Sequence, residues 1–220
     1  GYRGIPNLAG GVADGQIGCA GFVYEKGKRK ESPNPGLYGV RARKSTFFVA
    51  DSMICLGAGI ENLTPDVPGS IRTTIDQPEW RGGITVVPIH GKRLGLIPDE
   101  PVRRRLSLAK TGDLTVEHGG IAYTILADQT DGVVELVAET KPTDWVARHG
   151  GNKRRKDLPK EVPVLCLGIN HGDKPTGSTY GYVVQPLGKQ PIPAQVIANT
   201  PELQAVATPD GGLIQAIFFS

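Results

Sequence analysis

Ten short runs rich in β-branched and aromatic residues divide this chain, at 46–49, 53–56, 84–89, 121–126, 133–137, 162–169, 180–185, 196–198, 203–206 and 213–219. Each is short for a buried helix and is bounded by turn residues, which predicts strands. Glycine and proline supply the punctuation, 30 and 18 of 220 residues. Asn-Pro-Gly at 34–36, Val-Pro-Gly at 67–69, Asp-Gly at 131–132 and Asp-Gly-Gly at 210–212 offer a preset proline or a positive φ between antiparallel neighbours. One segment, 101–110, reads as helix: Asp99 and Glu100 precede Pro101, and Val102, Leu106 and Ala109 recur at helical spacing. Val164, Leu165, Cys166 and Leu167 form an unbroken apolar run that predicts burial on both faces, whereas the alternation across 180–185 predicts one wet face. The expected fold is all-β, an antiparallel β-sandwich of stacked sheets with little helix. A proline-rich hinge at 186–193 separates a main body, residues 1–190, from a last segment, 191–220, that is too short to fold alone and reads as the start of another subdomain.

At 39% hydrophobic residues the chain carries enough apolar material for a sizeable core, so disorder is excluded. No run reaches the roughly 18 apolar residues of a membrane helix, and the start lacks the basic-then-apolar order of a signal peptide. Opening on Gly1 leaves a cleaved signal, a removed tag and an excised domain all open. Cys19, Cys55 and Cys166 are odd in number, far apart and set among apolar or small residues, which predicts buried free thiols.

The net charge of +3 does not by itself indicate a partner, but the cations cluster at 26–30, 41–44, 103–105 and 153–156. Clusters on a common face would attract a polyanion; scattered, they are solvated loops. Nucleic acid is the weaker polyanion, since no aromatic RNA-binding strand, zinc-finger spacing or helix-turn-helix pattern accompanies them. His90, His118, His149 and His171 form no metal-ligand spacing, so no metal is expected. The absence of a phosphate loop or a Gly-x-Ser-x-Gly elbow argues against nucleotide enzymes and α/β-hydrolases. His118 and His171 lie at strand ends, where each reads as an acid, a base or a sugar contact, or as a turn histidine bonded to nearby backbone. Trp80 and Trp145 read as sugar-stacking platforms or as packing at a sheet edge.

Five ordered blocks carry a family resemblance. They are KSTFFVAD at 44–51 with MICLGAGI at 53–60, RTTID at 72–76, HGGIAY at 118–123, NHG at 170–172 with YGY at 180–182, and VIANTPELQAV at 196–206. Together they resemble the polysaccharide lyases of the hyaluronate, chondroitin and xanthan lyase family. There the corresponding runs read KSWFFFDDEIVALGSGI, TTVENR, HDGIGY, DHG with YAY, and VLANTAxVQAV. Thr46 stands where the family has tryptophan, Asp76, Gln77 and Pro78 where it has ENR, and Glu117, His118 and Gly119 where it has HHD.

The resemblance implies most of the central super-sandwich domain, 1–190, followed by the first strands of a small C-terminal β domain, 191–220. It also implies β-elimination on an acidic, uronate-containing, glycosaminoglycan-like polysaccharide, no cofactor, and a secreted or periplasmic location. In the family an N-terminal α/α toroid carries the catalytic Asn, His, Tyr and Arg, and no stretch here resembles it, so no catalytic residue is assigned. The sandwich supports that domain and lines one wall of the cleft, which makes His118, His171, Trp80, Arg103, Arg104 and Arg105 candidate substrate contacts. The expected partners are the toroid and an acidic polysaccharide, with neither nucleic acid nor membrane. The second reading is a non-catalytic β-sandwich that binds or scaffolds carbohydrate.

Overall fold

Each of the ten apolar runs falls on a strand in the computed structural model, which describes residues 8–26, 39–96, 100–143, 160–189 and 192–219. Those residues form β1 (Ala9–Ala13), β2 (Gly18–Lys26), β3 (Val40–Val49), β4 (Ser52–Asn62), β5 (Arg72–Asp76), β6 (Ile84–Pro88), β7 (Leu94–Leu96) and β8 (Val102–Leu106). A single helical turn, α1 (Leu108–Thr111), precedes β9 (Leu114–His118) and β10 (Ile121–Ile125). After a short 3₁₀ turn come β11 (Val133–Pro142), β12 (Glu161–Asn170), β13 (Thr176–Pro186), β14 (Gln195–Asn199), β15 (Leu203–Ala207) and β16 (Ile214–Phe218). Among the described residues no helix is long and apolar enough to cross a membrane.

Three antiparallel sheets result, in the orders β1-β2-β3-β4-β13-β10-β9-β6-β7, β5-β12-β11-β8 and β14-β15-β16. The nine-stranded sheet lies between the other two. Alternate side chains on β4 and β13 point to opposite faces: Cys55, Tyr180 and Tyr182 join Leu136, Leu165, Leu167 and Ile169 of the four-stranded sheet in one core. Ile54, Leu56 and Val183 join Phe47, Val206 and Ala194 in a second core beneath the three-stranded sheet. Gly57 lets Tyr180 lie flat across β4, because a Cβ there would collide with the phenol ring.

Four expectations are corrected by the structure. The run 180–185 has no wet face, because β13 sits mid-sheet with a layer on each side. The run 164–167 is instead buried on one face only: Leu165 and Leu167 enter the core, while Val164 and Cys166 are half-buried on the outer face. Cys19 and Cys55 are buried free thiols as expected, but Cys166 is not fully enclosed. The segment 101–110 is mainly strand β8, with only its end turning into α1. Val102 and Leu106 are four residues apart, a spacing that fits one face of a helix and one face of a strand alike; pairing with β11 decides for the strand.

Polar side chains join the three-stranded sheet to the central one. Gln204, fully buried, accepts a hydrogen bond from Ser45 Oγ and donates through Nε2 to the Arg43 carbonyl and Asn199 Oδ1, both at 3.2 Å. Gln215 Nε2 donates to the Phe48 carbonyl at 3.0 Å, and Asn199 Nδ2 to the Tyr180 carbonyl at 3.2 Å. Removing a buried partner leaves several groups unsatisfied, each at a cost of about 1–3 kcal/mol. Gln204→Leu is therefore expected to lower the unfolding free energy by about 3 kcal/mol in urea titration. Phe218→Ser, on the exposed face of the same sheet, should change it by less than about 0.5 kcal/mol.

Candidate functional site

The outer face of the four-stranded sheet is a charged groove, and strand alternation builds it. On β11, Val134, Leu136 and Ala138 point into the core, which turns Glu135, Val137, Glu139 and Lys141 outward. The register of β8 sets Arg105 opposite Glu135 and Arg103 opposite Val137. From the other edge, β5 contributes Arg72 and Thr74. Gly168 lies on the floor, where a Cβ would stand 2.8 Å from the Thr73 carbonyl; the bulge between Leu167 and Gly168 brings the β5 backbone this close. The resulting groove has a volume of about 310 Å³.

Its charges are stratified. Glu135 receives Arg72 Nε at 2.9 Å and Asn170 Nδ2 at 2.9 Å, with Arg105 Nε at 3.5 Å. Glu139 receives Lys141 Nζ at 3.2 Å and pairs with the Arg103 guanidinium. The carboxylate side chains are only 20–21% exposed, whereas Arg72, Arg103 and Arg105 are 54–70% exposed and Lys141 45%. Four cations therefore stand above two carboxylates, and the solvent-facing field is positive. Burial alone would raise the Glu135 carboxyl, but the hydrogen bonds from Asn170 and Arg72 and the charges of Arg72 and Arg105 outweigh it and hold it below its ordinary 4.5. The hydrogen bond from Lys141, followed by Arg103, does the same for Glu139. The groove can hold an anionic chain by charge and hydrogen bonding; among the described residues no histidine lines it.

The structure distributes the residues expected from sequence over several places. Arg103 faces the groove and Arg105 stands at its rim, while Arg104 shares the face of its register partner Leu136 and donates to the Arg103 carbonyl at 3.2 Å. Trp80 is buried in the sandwich core, with its indole N–H donating to the Gly82 carbonyl at 3.2 Å, so its ring is closed to a stacking sugar. His118 ends β9 beside it, also buried, and its Nε2 accepts the Arg81 backbone N–H at 3.3 Å. The His171 side chain is fully enclosed, with Nε2 2.9 Å from Thr73 Oγ1 and Nδ1 3.7 Å from Asp131 Oδ1. Burial pushes the His171 ring below its ordinary 6.5 against the charge of Asp131, and Lys44 adds to the lowering. Neither histidine reaches the groove.

Of the basic clusters, residues 27–30 and 153–156, like Trp145, His149 and the turn at 34–36, lie outside the described residues. In the cluster at 41–44, Arg41 bridges Glu25 at 3.1 Å and Glu61 at 3.3 Å, and Arg43 buries its Nε. Sequence reasoning missed Arg72, Glu135, Glu139 and Lys141. The alternation through 133–141 was the available signal, since it puts the last three on one face.

Comparison with known proteins adds to this geometry. The family model described as "Polysaccharide lyase family 8, super-sandwich domain" matches residues 1–191. Chondroitinase-AC of Pedobacter heparinus is 29% identical over 231 residues, which cover 100% of this chain and 28% of that protein. A hyaluronate lyase of Thermasporomyces composti is 27% identical over 96% of this chain and 26% of its own length. A solved chondroitinase AC lyase, studied in complexes with oligosaccharides, superposes with a TM-score of 0.70 at 26% identity over 97% of this chain and 28% of that one. The chain thus spans little more than a quarter of these relatives.

The enclosed His171 generates a pH test. Because the folded ring resists protonation, its contribution to stability is complete above pH 6.5. Below that value the unfolded chain takes up a proton that the folded chain refuses, and the contribution drains away. The melting temperature should therefore fall as pH drops from 7.5 to 5.5, as differential scanning calorimetry would record. His171→Gln, which can keep the bond to Thr73, should remove at least half of that slope.

Proposed function

The chain belongs to polysaccharide lyase family 8 through its super-sandwich domain, and we propose that it is the β-sandwich portion of an enzyme that cleaves acidic, uronate-containing polysaccharide by β-elimination. In this reading it supports an α/α toroid catalytic domain and lines the substrate cleft. The observation that carries the proposal is the stratified groove, where four cations stand over two sunken carboxylates. A polymer bearing a carboxylate on alternate sugars meets a positive field there without having to displace the internal ion pairs.

β-Elimination needs a group that neutralises the uronate carboxylate, a base that takes the C5 proton and an acid that assists the leaving glycosidic oxygen. The groove supplies only the first kind of group. His118 and His171 are enclosed away from the groove, so the proton transfers are assigned to the toroid. Residues 191–220 are read as the first strands of a C-terminal β domain, a reading supported by the exposed Ile197, Ile214 and Phe218 on the three-stranded sheet. A secreted or periplasmic location accompanies the proposal, because such polymers are extracellular. The second reading, a sandwich that holds carbohydrate without chemistry, is favoured by the same lack of an acid or base in the groove.

Binding tests the role of the groove. The 220-residue chain should bind chondroitin sulfate or hyaluronan at low salt, bind dextran negligibly, and lose the acidic polymers as ionic strength approaches physiological, where the screening length is about 8 Å. Replacing Arg103, Arg105 and Lys141 together with Gln should weaken binding about tenfold by calorimetry or biolayer interferometry, given about 0.5 kcal/mol for each exposed cation. Trp80→Phe should change it less than twofold. The chain alone should release no unsaturated uronate, detected by ultraviolet absorbance. Equal affinity for dextran, or turnover by the chain alone, would defeat the reading.

A further inference from the structure

Across β5 from the groove lies a second cavity of about 230 Å³. Tyr24, Lys44 and Ile60 line it from the nine-stranded sheet, and Ser70, Arg72 and Thr73 line it from the β5 segment. Lys44 enters from β3, where its backbone is paired on one side with Phe22 and on the other with Gly57. Its Nζ stands 5.2 Å from the centroid of the Tyr24 ring. Among the described residues no carboxylate lies within ion-pair distance of it, whereas Arg72, Arg103, Arg105 and Lys141 of the groove each have one.

A half-buried ammonium without a counter-charge is costly, and the ring quadrupole of Tyr24 compensates only part of that cost. Burial pushes the Lys44 ammonium below its ordinary value. The other titratable groups facing it do not supply a negative charge. The Cys55 thiol on β4 is raised by its own burial, and His171, from the turn after β12, is a ring held neutral. Tyr24 on β2 presents its aromatic face, and Arg72 on β5 is a second cation at the same cavity, engaged by Glu135 through Nε. Lys44, Arg72 and Ser70 are thus among the residues that line the cavity, and none of its lining residues is a carboxylate.

We propose that this cavity is a binding site for one small anion, a carboxylate-bearing sugar unit or an inorganic oxyanion, seated between Lys44 and Arg72. Its size sets the class of ligand: about 230 Å³ is below the roughly 300–1,000 Å³ of pockets that hold drug-sized molecules, so one sugar acid fits and a length of polymer does not. The anion supplies the counter-charge that Lys44 lacks, and Arg72 lines both the cavity and the groove. The site goes beyond the lyase reading and stands whether or not a polymer crosses the outer face.

The test is a titration of the unaltered 220-residue chain, labelled at lysine side chains and followed by nuclear magnetic resonance, with D-glucuronate, inorganic sulfate and D-glucose as probes. Glucuronate should shift the Lys44 side-chain resonance and move its titration midpoint upward by about one pH unit, because a bound anion favours the ammonium. A response to glucuronate alone identifies a sugar-acid site, and a response to both glucuronate and sulfate identifies an oxyanion site; either supports the proposal. Lys44→Met should weaken glucuronate binding at least tenfold and Arg72→Gln at least threefold. A Lys44 resonance indifferent to both anions, equal binding of glucose, or undiminished affinity in a folded Lys44→Met chain would overturn it.

Discussion

Burial of β4 and β13 from both sides is the constraint on which the other layers depend. Both strands sit in the middle of the nine-stranded sheet, and their side chains alternate between two cores. Neither core can form without the shared strands, and neither outer sheet has another surface on which to bury its apolar face. On one side Tyr180, laid over Gly57, packs into the core shared with the four-stranded sheet, and on the other Gln204 attaches the three-stranded sheet to the β3 backbone. The groove inherits its rigidity from this arrangement, because its floor strands β11 and β12 are the ones that press Leu136, Leu165 and Leu167 against the framework.

The groove combines two demands that usually conflict. Structural ion pairs consume charge, yet attraction of a polyanion needs charge left over. Here the carboxylates lie low and receive more than one cation each, so the pairs order the arginines without cancelling their outward field. The depressed Glu135 and Glu139 keep this arrangement ionised well into mildly acidic conditions. Lys44 presents the opposite case, a half-buried cation over the Tyr24 ring with space beside it and no carboxylate partner.

Ten of the sixteen strands among the described residues were legible from composition and turns, whereas β1, β2, β5, β7 and β9 lack such a run and β8 reads as helix. Facing was less legible. The residues 180–185 and 164–167 have the local patterns of an exposed and a doubly buried strand, and the layering reverses both, since sequence does not say which strand will lie mid-sheet. The segment 101–110 was ambiguous for a different reason, a four-residue apolar spacing common to both periods. As for the site, Arg103 and Arg105 were visible as a cluster, but Arg72 acquires its place only through the pairing of β5 with β12. Trp80 and His118 looked functional as isolated aromatic and titratable residues; their use as packing at one end of the sandwich depends on contacts remote in the chain.

The ten-residue pairing of β11 with β12 has a consequence for how the chain avoids misassembly. A slip of one residue would exchange the faces of β11 and drive Glu135, Glu139 and Lys141 between the sheets while Leu136 and Ala138 went to solvent. Three unpaired charges in an apolar interior are far less tolerable than a few lost ladder bonds. The charged groove therefore doubles as a proofreading device, penalising the nearest wrong alignment. This safeguard asks only that the outward positions stay charged, so it is indifferent to the identity and even the sign of each charge.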